Sequence, residues 1–230
     1  MNEFLGASST WGSVLTIACF GLFRLLQTKL RRAWLNPLLL SGIVIGAFLL
    51  ALNIPYSLYR NSSSMLSGML LPATVSLAVP LYEQWQLLKR NLAAILCGIA
   101  SGVITGLAAT VLLAKAFRLD RSVALSFLPK SVTTAIGADI AAELGGIPSL
   151  AIVLIILTGI CGNMLAPVLC KWFRLRDPVA RGIAIGTCSH ALGTSKALEM
   201  GEAEGAMSGL AIAVAGVMTA VLVPLAAMLL

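Results

Sequence analysis

Charge is scarce in this chain, and the scarcity excludes most soluble folds. Only 11% of its 230 residues are Asp, Glu, Lys or Arg, against about 25% in an ordinary soluble domain. Aromatic residues make up only 6%. Histidine occurs once, as His190, so a histidine-built metal centre has nothing to stand on. The five cysteines, Cys19, Cys97, Cys161, Cys170 and Cys188, are odd in number and form no C-x-x-C. They read as small packing residues rather than a redox or metal set. The first ten residues lack a basic stretch, and no small-residue cleavage site follows the first apolar run, so no cleavable signal is expected. No glycine-flanked nucleophile accompanies His190, which argues against a catalytic triad. Neither an enzyme nor a cofactor-dependent protein is expected.

What is abundant is hydrocarbon. The chain is 59% hydrophobic and its mean hydropathy is +0.96. Leu35–Leu52, Leu92–Ala114, Ile147–Cys170 and Ala206–Leu230 are each apolar over a length suited to a ~30 Å hydrocarbon core. Trp11–Leu26 is shorter and is expected to begin insertion. The fold class that follows is an all-α polytopic membrane protein. It is expected to form one integral-membrane domain over residues 1–230.

The net charge of +7 invites a nucleic-acid reading, but its distribution points to a bilayer. Basic residues cluster in short loops: Arg24, Lys29, Arg31 and Arg32; Lys115, Arg118 and Arg121; Lys171, Arg174, Arg176 and Arg181. Acidic residues gather elsewhere, as Asp139 with Glu143 and Glu199 with Glu202 and Glu204. Such segregation sets orientation in a membrane. The loops after Lys115 and Lys171 both face the cytoplasm if Ser122–Glu143 crosses outward and Ile147–Cys170 returns. Extending that pattern back to Arg31 and Arg32 requires Ser62–Glu83 to be re-entrant.

Three segments, Ser62–Glu83, Ser122–Glu143 and Val179–Glu199, are apolar but interrupted by Gly, Pro, Ser and Thr. They resemble one another. Leu71-Pro-Ala-Thr-Val-Ser-Leu-Ala78 lies over Leu128-Pro-Lys-Ser-Val-Thr-Thr-Ala135 at an offset of 57. Ser131-Val-Thr-Thr-Ala-Ile-Gly137 lies over Thr187-Cys-Ser-His-Ala-Leu-Gly193 at an offset of 56, as does Phe117-Arg-Leu over Phe173-Arg-Leu. Repeated interruptions in corresponding positions are the sequence mark of a secondary transporter's site. The free backbone groups at such a break must face protein or a wet cavity. About seven to eight membrane segments are therefore expected, with repeated broken or re-entrant helices. Gly98, Ser101 and Gly102, and Gly159 and Gly162, read as close-packing positions between helices.

The candidate chemistry sits at the interruptions. Pro72, Pro129 and Gly193 are the expected helix-break residues. Lys130, Ser131, Thr133 and Thr134 in one segment, with Thr187, Ser189, His190 and Thr194 in the other, supply a point charge and several donors. At a half-helix N-terminus these describe an anion site. The alternative is that Lys130 snorkels to the interface and the hydroxyls bond back to their own helix. His190 is either a hydrogen-bonded packing residue or a proton carrier beside the anion. Asp139 and Glu143 share one helix face and either mark a solvated helix end or gate coupling, with Lys196 as a third such position. Glu199, Glu202 and Glu204 read as a water-facing loop. Thr74 and Ser76 occupy the repeat position without a nearby charge and read as packing.

Leu128-Pro-Lys-Ser-Val-Thr-Thr, Glu143-Leu-Gly-Gly-Ile-Pro-Ser149 and Gly186-Thr-Cys-Ser-His-Ala-Leu-Gly-Thr194 closely resemble the LrgB/CidB family of bacterial membrane proteins. Pro72-Ala-Thr-Val75 with Pro80-Leu-Tyr-Glu-Gln84 resembles the family's earlier motif. The resemblance implies the bacterial inner membrane and an antiholin-like influence on murein hydrolases and autolysis. It also implies a smaller LrgA/CidA-type membrane partner. The related plastid glycolate/glycerate translocator resembles a fusion of the two proteins, and some bacterial pairs look like pyruvate carriers. The cargo so implied is a small monocarboxylate anion, and a homodimer is expected. One departure is local: Ala135 and Gly137 stand where family members often read Pro-Ile-Ala.

Overall fold

The structure, a computed structural model, describes residues 10–30, 36–76 and 78–230. Arg31, Arg32, Leu35 and Leu77 and the side chain of Thr74 fall outside that description. Among the described residues there are twelve helices and no strand. They divide between two compact units, residues 1–76 and 77–230.

The first unit contains α1 (Trp11–Leu30), α2 (Pro37–Ala51), α3 (Tyr56–Ser62), α4 (Ser64–Gly68) and α5 (Leu70–Ser76). Asn36 opens α2 by accepting from Leu38 N at 2.9 Å and Leu39 N at 3.3 Å, with Pro37 at the position that lacks a needed donor. Hydroxyls fasten α1 to α3: Gly12 N donates to Ser62 Oγ at 3.2 Å and Ser13 Oγ donates to Ser62 O at 3.1 Å. In apolar surroundings such bonds are a main source of helix affinity. Pro72 lies within the first turn of α5, and the helical pattern stops just before it, between Gly68 and Leu70.

The second unit contains α6 (Ala78–Glu83), α7 (Trp85–Ala116), α8 (Arg121–Phe127), α9 (Thr134–Glu143), α10 (Pro148–Trp172), α11 (Pro178–Met200) and α12 (Glu202–Ala227). Its core is a pair of matched stripes. Ile95, Ile99, Val103, Leu107 and Val111 on α7 recur every fourth residue, as do Met207, Ala211, Ala215, Thr219 and Val223 on α12, all buried. The small members of the second stripe let the backbones approach. Four described helices, α1, α7, α10 and α12, are long and apolar enough to cross a membrane, and α2 is a shorter apolar helix of 15 residues.

α7 and α10 end alike. Phe117 N donates to Leu113 O at 2.9 Å and Leu119 N to Ala114 O at 3.0 Å; Phe173 N donates to Leu169 O at 2.8 Å and Leu175 N to Cys170 O at 2.8 Å. Arg118 and Arg174 take the left-handed conformation that closes each turn, with φ of 51° and 54°.

After each turn the chain enters the core and comes back. Residues 128–133 lie outside helix between α8 and α9. There Ser126 Oγ accepts from Ile147 N at 2.7 Å, and a Cβ on Gly137 would lie 3.2 Å from Pro129 O. The two arms therefore run antiparallel. In α11 the reversal is one residue, His190, at φ 41° and ψ −139°. Before it, Gly182 and Gly186 abut the backbones of Glu204 and Ser208; after it, Thr194 meets Ser208 and Gly205 abuts Leu198.

These contacts correct the expected course of Ser122–Glu143, which turns back rather than running through. α7 runs with the first arm of α11, where Gly98 faces Ile183 and Gly102 faces Thr187. α10 runs against it, where Gly159 faces His190 and Gly162 faces Ser189. The turn at Arg118 and the turn at Arg174 consequently lie at opposite ends of this unit.

Candidate functional site

The two reversals meet beside α7, α10 and α12 and enclose a cavity of about 180 Å³. Lys130 and Ser131 line it from the first reversal, and Thr187 and Cys188 from the second. Thr158 of α10 and Thr219 of α12 complete the polar lining. Leu128, Val103 and Leu107 supply apolar wall. Two glycines of α7 make the room. A Cβ on Gly102 would lie 3.0 Å from Thr187 Cγ2, whereas a Cβ on Gly106 would meet nothing within 4 Å.

The composition of this lining suits an anion. It contains one cation and no carboxylate, and among the described residues no acidic side chain pairs with Lys130. Thr187 is buried, and its Oγ1 has no hydrogen-bond partner among the described residues. A buried hydroxyl left unbonded costs about 1–3 kcal/mol. A ligand oxygen would relieve that cost. Lys130, Ser131, Thr158, Thr187 and Thr219 could together present a charge and hydroxyl donors to one small anion.

The remaining candidates from the sequence sit apart from this lining. Thr133 holds the N-cap position of α9 without a side-chain capping bond, and Thr134 is exposed. Ser189 is buried against Gly162, where an added Cβ would overlap its side chain. Thr194 donates to His190 O at 3.0 Å and shares a hydrogen bond with Ser208 Oγ at 2.7 Å. His190 is buried with Nδ1 unpartnered among the described residues, and its ring lies over Gly159, with Cε1 2.8 Å from where a Cβ would project. Asp139 and Glu143 are exposed on α9. Lys196 pairs with Glu199 at 2.9 Å. Pro129 stands at the first reversal, whereas Gly193 is helical and packs against Ile185 and Ser189, three residues beyond the second.

The sequence reading missed Thr158, Thr219, Cys188 and Gly106. Each of the two threonines is an isolated hydroxyl within a hydrocarbon helix. That isolation was the available signal, but a lone threonine bonding back to its own helix looks the same. Glu204, read as part of a water-facing loop, is buried and bonded to Arg181 at 3.3 Å.

Comparison with known proteins gives a consistent picture. The LrgB-like family matches residues 16–229. The chain is similar to the uncharacterized protein YxaC of Bacillus subtilis (strain 168), 38% identical over 92% of each chain. YwbG of the same organism is 34% identical over 94% of this chain and 95% of its own. The antiholin-like protein LrgB of Bacillus mycoides (strain KBAB4) is 36% identical over 94% of each. No solved structure matches the chain.

Proposed function

The chain belongs to the LrgB-like family of multi-pass bacterial membrane proteins, and from that premise we propose that it is a secondary carrier of small monocarboxylate anions. Pyruvate, glycolate and glycerate are the cargo class. The observation that carries this reading is the cavity shared by Lys130 and the unpartnered Thr187 hydroxyl. Its volume of about 180 Å³ suits a two- or three-carbon acid. Lys130 neutralises the carboxylate, and Ser131, Thr158, Thr187 and Thr219 donate to its oxygens and to a neighbouring keto or hydroxyl group.

In this reading the two chain reversals are re-entrant membrane hairpins entering from opposite faces. They form an inverted repeat with their tips at the substrate, an arrangement that suits alternating access around a fixed midplane site. His190 shapes the tip of the second hairpin, and Asp139, Glu143 and Lys196 remain outside the substrate contact.

Uptake of labelled pyruvate, glycolate and glycerate into proteoliposomes tests the proposal, with and without a small LrgA/CidA-type partner. Lys130→Ala and Thr187→Val should each lower uptake at least tenfold. Absence of uptake in every arrangement, or full uptake in both variants, would sink it.

A second reading draws on the relatives named antiholin-like: the chain restrains murein hydrolases by binding a holin-like partner without transporting anything. Autolysis in a strain lacking that partner separates the two. An effect of this chain that persists there excludes a role resting on partner binding alone.

A further inference from the structure

A second cavity, of about 440 Å³, opens at the turn between α10 and α11 and shares no lining residue with the first. Four cations border it: Lys171, Arg174, Arg176 and Arg181. Pro167 and Met200 contribute apolar wall. The chain builds this concentration of charge deliberately. The left-handed Arg174 closes α10 (φ 54°), and Asp177 starts α11 by accepting from Ala180 N at 2.9 Å. Only the turn between lies between Lys171 and Arg181.

One of the four charges is already matched. Arg181 pairs with Glu204 at 3.3 Å, and its Nε donates to Leu175 O at 2.7 Å, which fixes the guanidinium at the cavity wall. Among the described residues Lys171, Arg174 and Arg176 have no acidic partner. Three unmatched cations about a concave site repel one another, and a polyanion relieves that repulsion. The equivalent turn at Arg118 carries the same charges with one pair exchanged, Asp120 and Arg121 standing 56 residues before Arg176 and Asp177, but it has Leu125 where this turn has the fourth cation, Arg181.

We propose that this cavity is a binding site for a phosphate-bearing anion, supplied either by the headgroup of an acidic phospholipid or by a free phosphate. The guanidinium groups of Arg174 and Arg176 take phosphate oxygens in their donor forks, and Lys171 adds a point charge. With a lipid, Pro167 and Met200 meet the first carbons beyond the headgroup. Arg181 begins the first arm of α11 and Met200 ends the second, so the bound anion bridges both legs of the reversal that carries Thr187.

The test uses the full chain purified in neutral detergent. Native mass spectrometry counts retained phosphatidylglycerol, cardiolipin or phosphatidylcholine, and inorganic pyrophosphate is titrated separately by thermal unfolding. Wild type should retain an acidic lipid, or be shifted by pyrophosphate, and Arg174→Gln with Arg176→Gln should bind roughly twenty- to thirtyfold more weakly, about fivefold per basic residue. The opposite turn serves as control, since Lys115→Gln with Arg118→Gln should leave binding within about twofold, well below one lost basic residue. Retention of acidic lipid assigns the headgroup; a pyrophosphate shift without lipid retention assigns free phosphate. Equal binding by wild type and the arginine variant, phosphatidylcholine held as tightly as acidic lipid with no pyrophosphate shift, or an equal loss in the control would overturn the site.

Discussion

Arg118 and Arg174 hold the same left-handed backbone, φ 51° and 54°, at two turns 56 residues apart, each followed by a helix that leads into one of the two reversals. Arginine has a Cβ that crowds this conformation by about 1–2 kcal/mol, whereas glycine has none. Arg118→Gly is therefore expected to stabilise the chain by about 1 kcal/mol, a rise of roughly 2–4 °C in thermal midpoint. Arg118→Val should lower it. A scanning measurement in detergent on the two variants decides the sign.

Gly106 should separate transport from stability. Valine there projects into the open part of the cavity, so unfolding should change little while carboxylate uptake falls at least tenfold, the effect of losing more than about 1.4 kcal/mol of binding. Gly162→Ala should do the reverse in emphasis. Its Cβ overlaps the Ser189 side chain, and overpacking of that kind costs about 1–3 kcal/mol. Thermal midpoints and uptake, measured side by side, should rank the two variants in opposite order.

Cys188 lies in the cavity lining and is exposed, whereas Cys170 is buried. A chain retaining Cys188 alone should react with a small maleimide, and one retaining Cys170 alone should react far more slowly. Saturating glycolate or pyruvate should protect Cys188. Unchanged labelling in their presence would count against a carboxylate seated beside Lys130.

Thr194 and Ser208 share a buried hydrogen bond of 2.7 Å between α11 and α12. Thr194→Val should cost about 1–3 kcal/mol, because it orphans the Ser208 hydroxyl, whereas Ser208→Ala should cost less, because Thr194 keeps its bond to His190 O at 3.0 Å. The double variant should cost less than the sum, with a coupling of about 0.5–3 kcal/mol in a thermodynamic cycle. Additive losses would mean that the hydroxyls do not depend on each other.

His190 carries a conformation that suits glycine better than any residue with a side chain. His190→Gly should therefore be more stable than His190→Ala by about 1–2 kcal/mol. Comparing uptake in the two separates the ring from the backbone. Loss in both assigns a role to the imidazole, and loss in alanine alone assigns the role to the reversal.

Much of this arrangement was legible in the sequence, for identifiable reasons. Leu92–Ala114 and Ile147–Cys170 announce helices by hydrocarbon alone, and α7 and α10 follow them closely. The offset of 56 between Phe117 and Phe173 marks two turns with the same hydrogen bonds. Lys130 stands out because a charge in hydrocarbon is costly. The interruptions were legible as broken or re-entrant helices, but which of the two each one is was not. An interrupted apolar segment has the same composition whether it passes through or turns back, and only contacts such as Ser126 with Ile147 distinguish the two. Gly106 was equally silent, since a glycine that packs a helix and one that vacates a cavity are spelled alike. Thr133, Thr134 and Thr194 share their residue type with the lining, but their place on the helix turns them to other tasks.

The bond from Ile147 N to Ser126 Oγ joins residues only 21 apart, and that from Thr194 to Ser208 only 14 apart. Loops this short cost little entropy to close. During synthesis, the first reversal can seat itself against the start of α10 before α11 has left the ribosome, and the second needs only the opening turns of α12. Each half can thus reach its final pairing in the order in which it is made, without waiting for the carboxyl terminus.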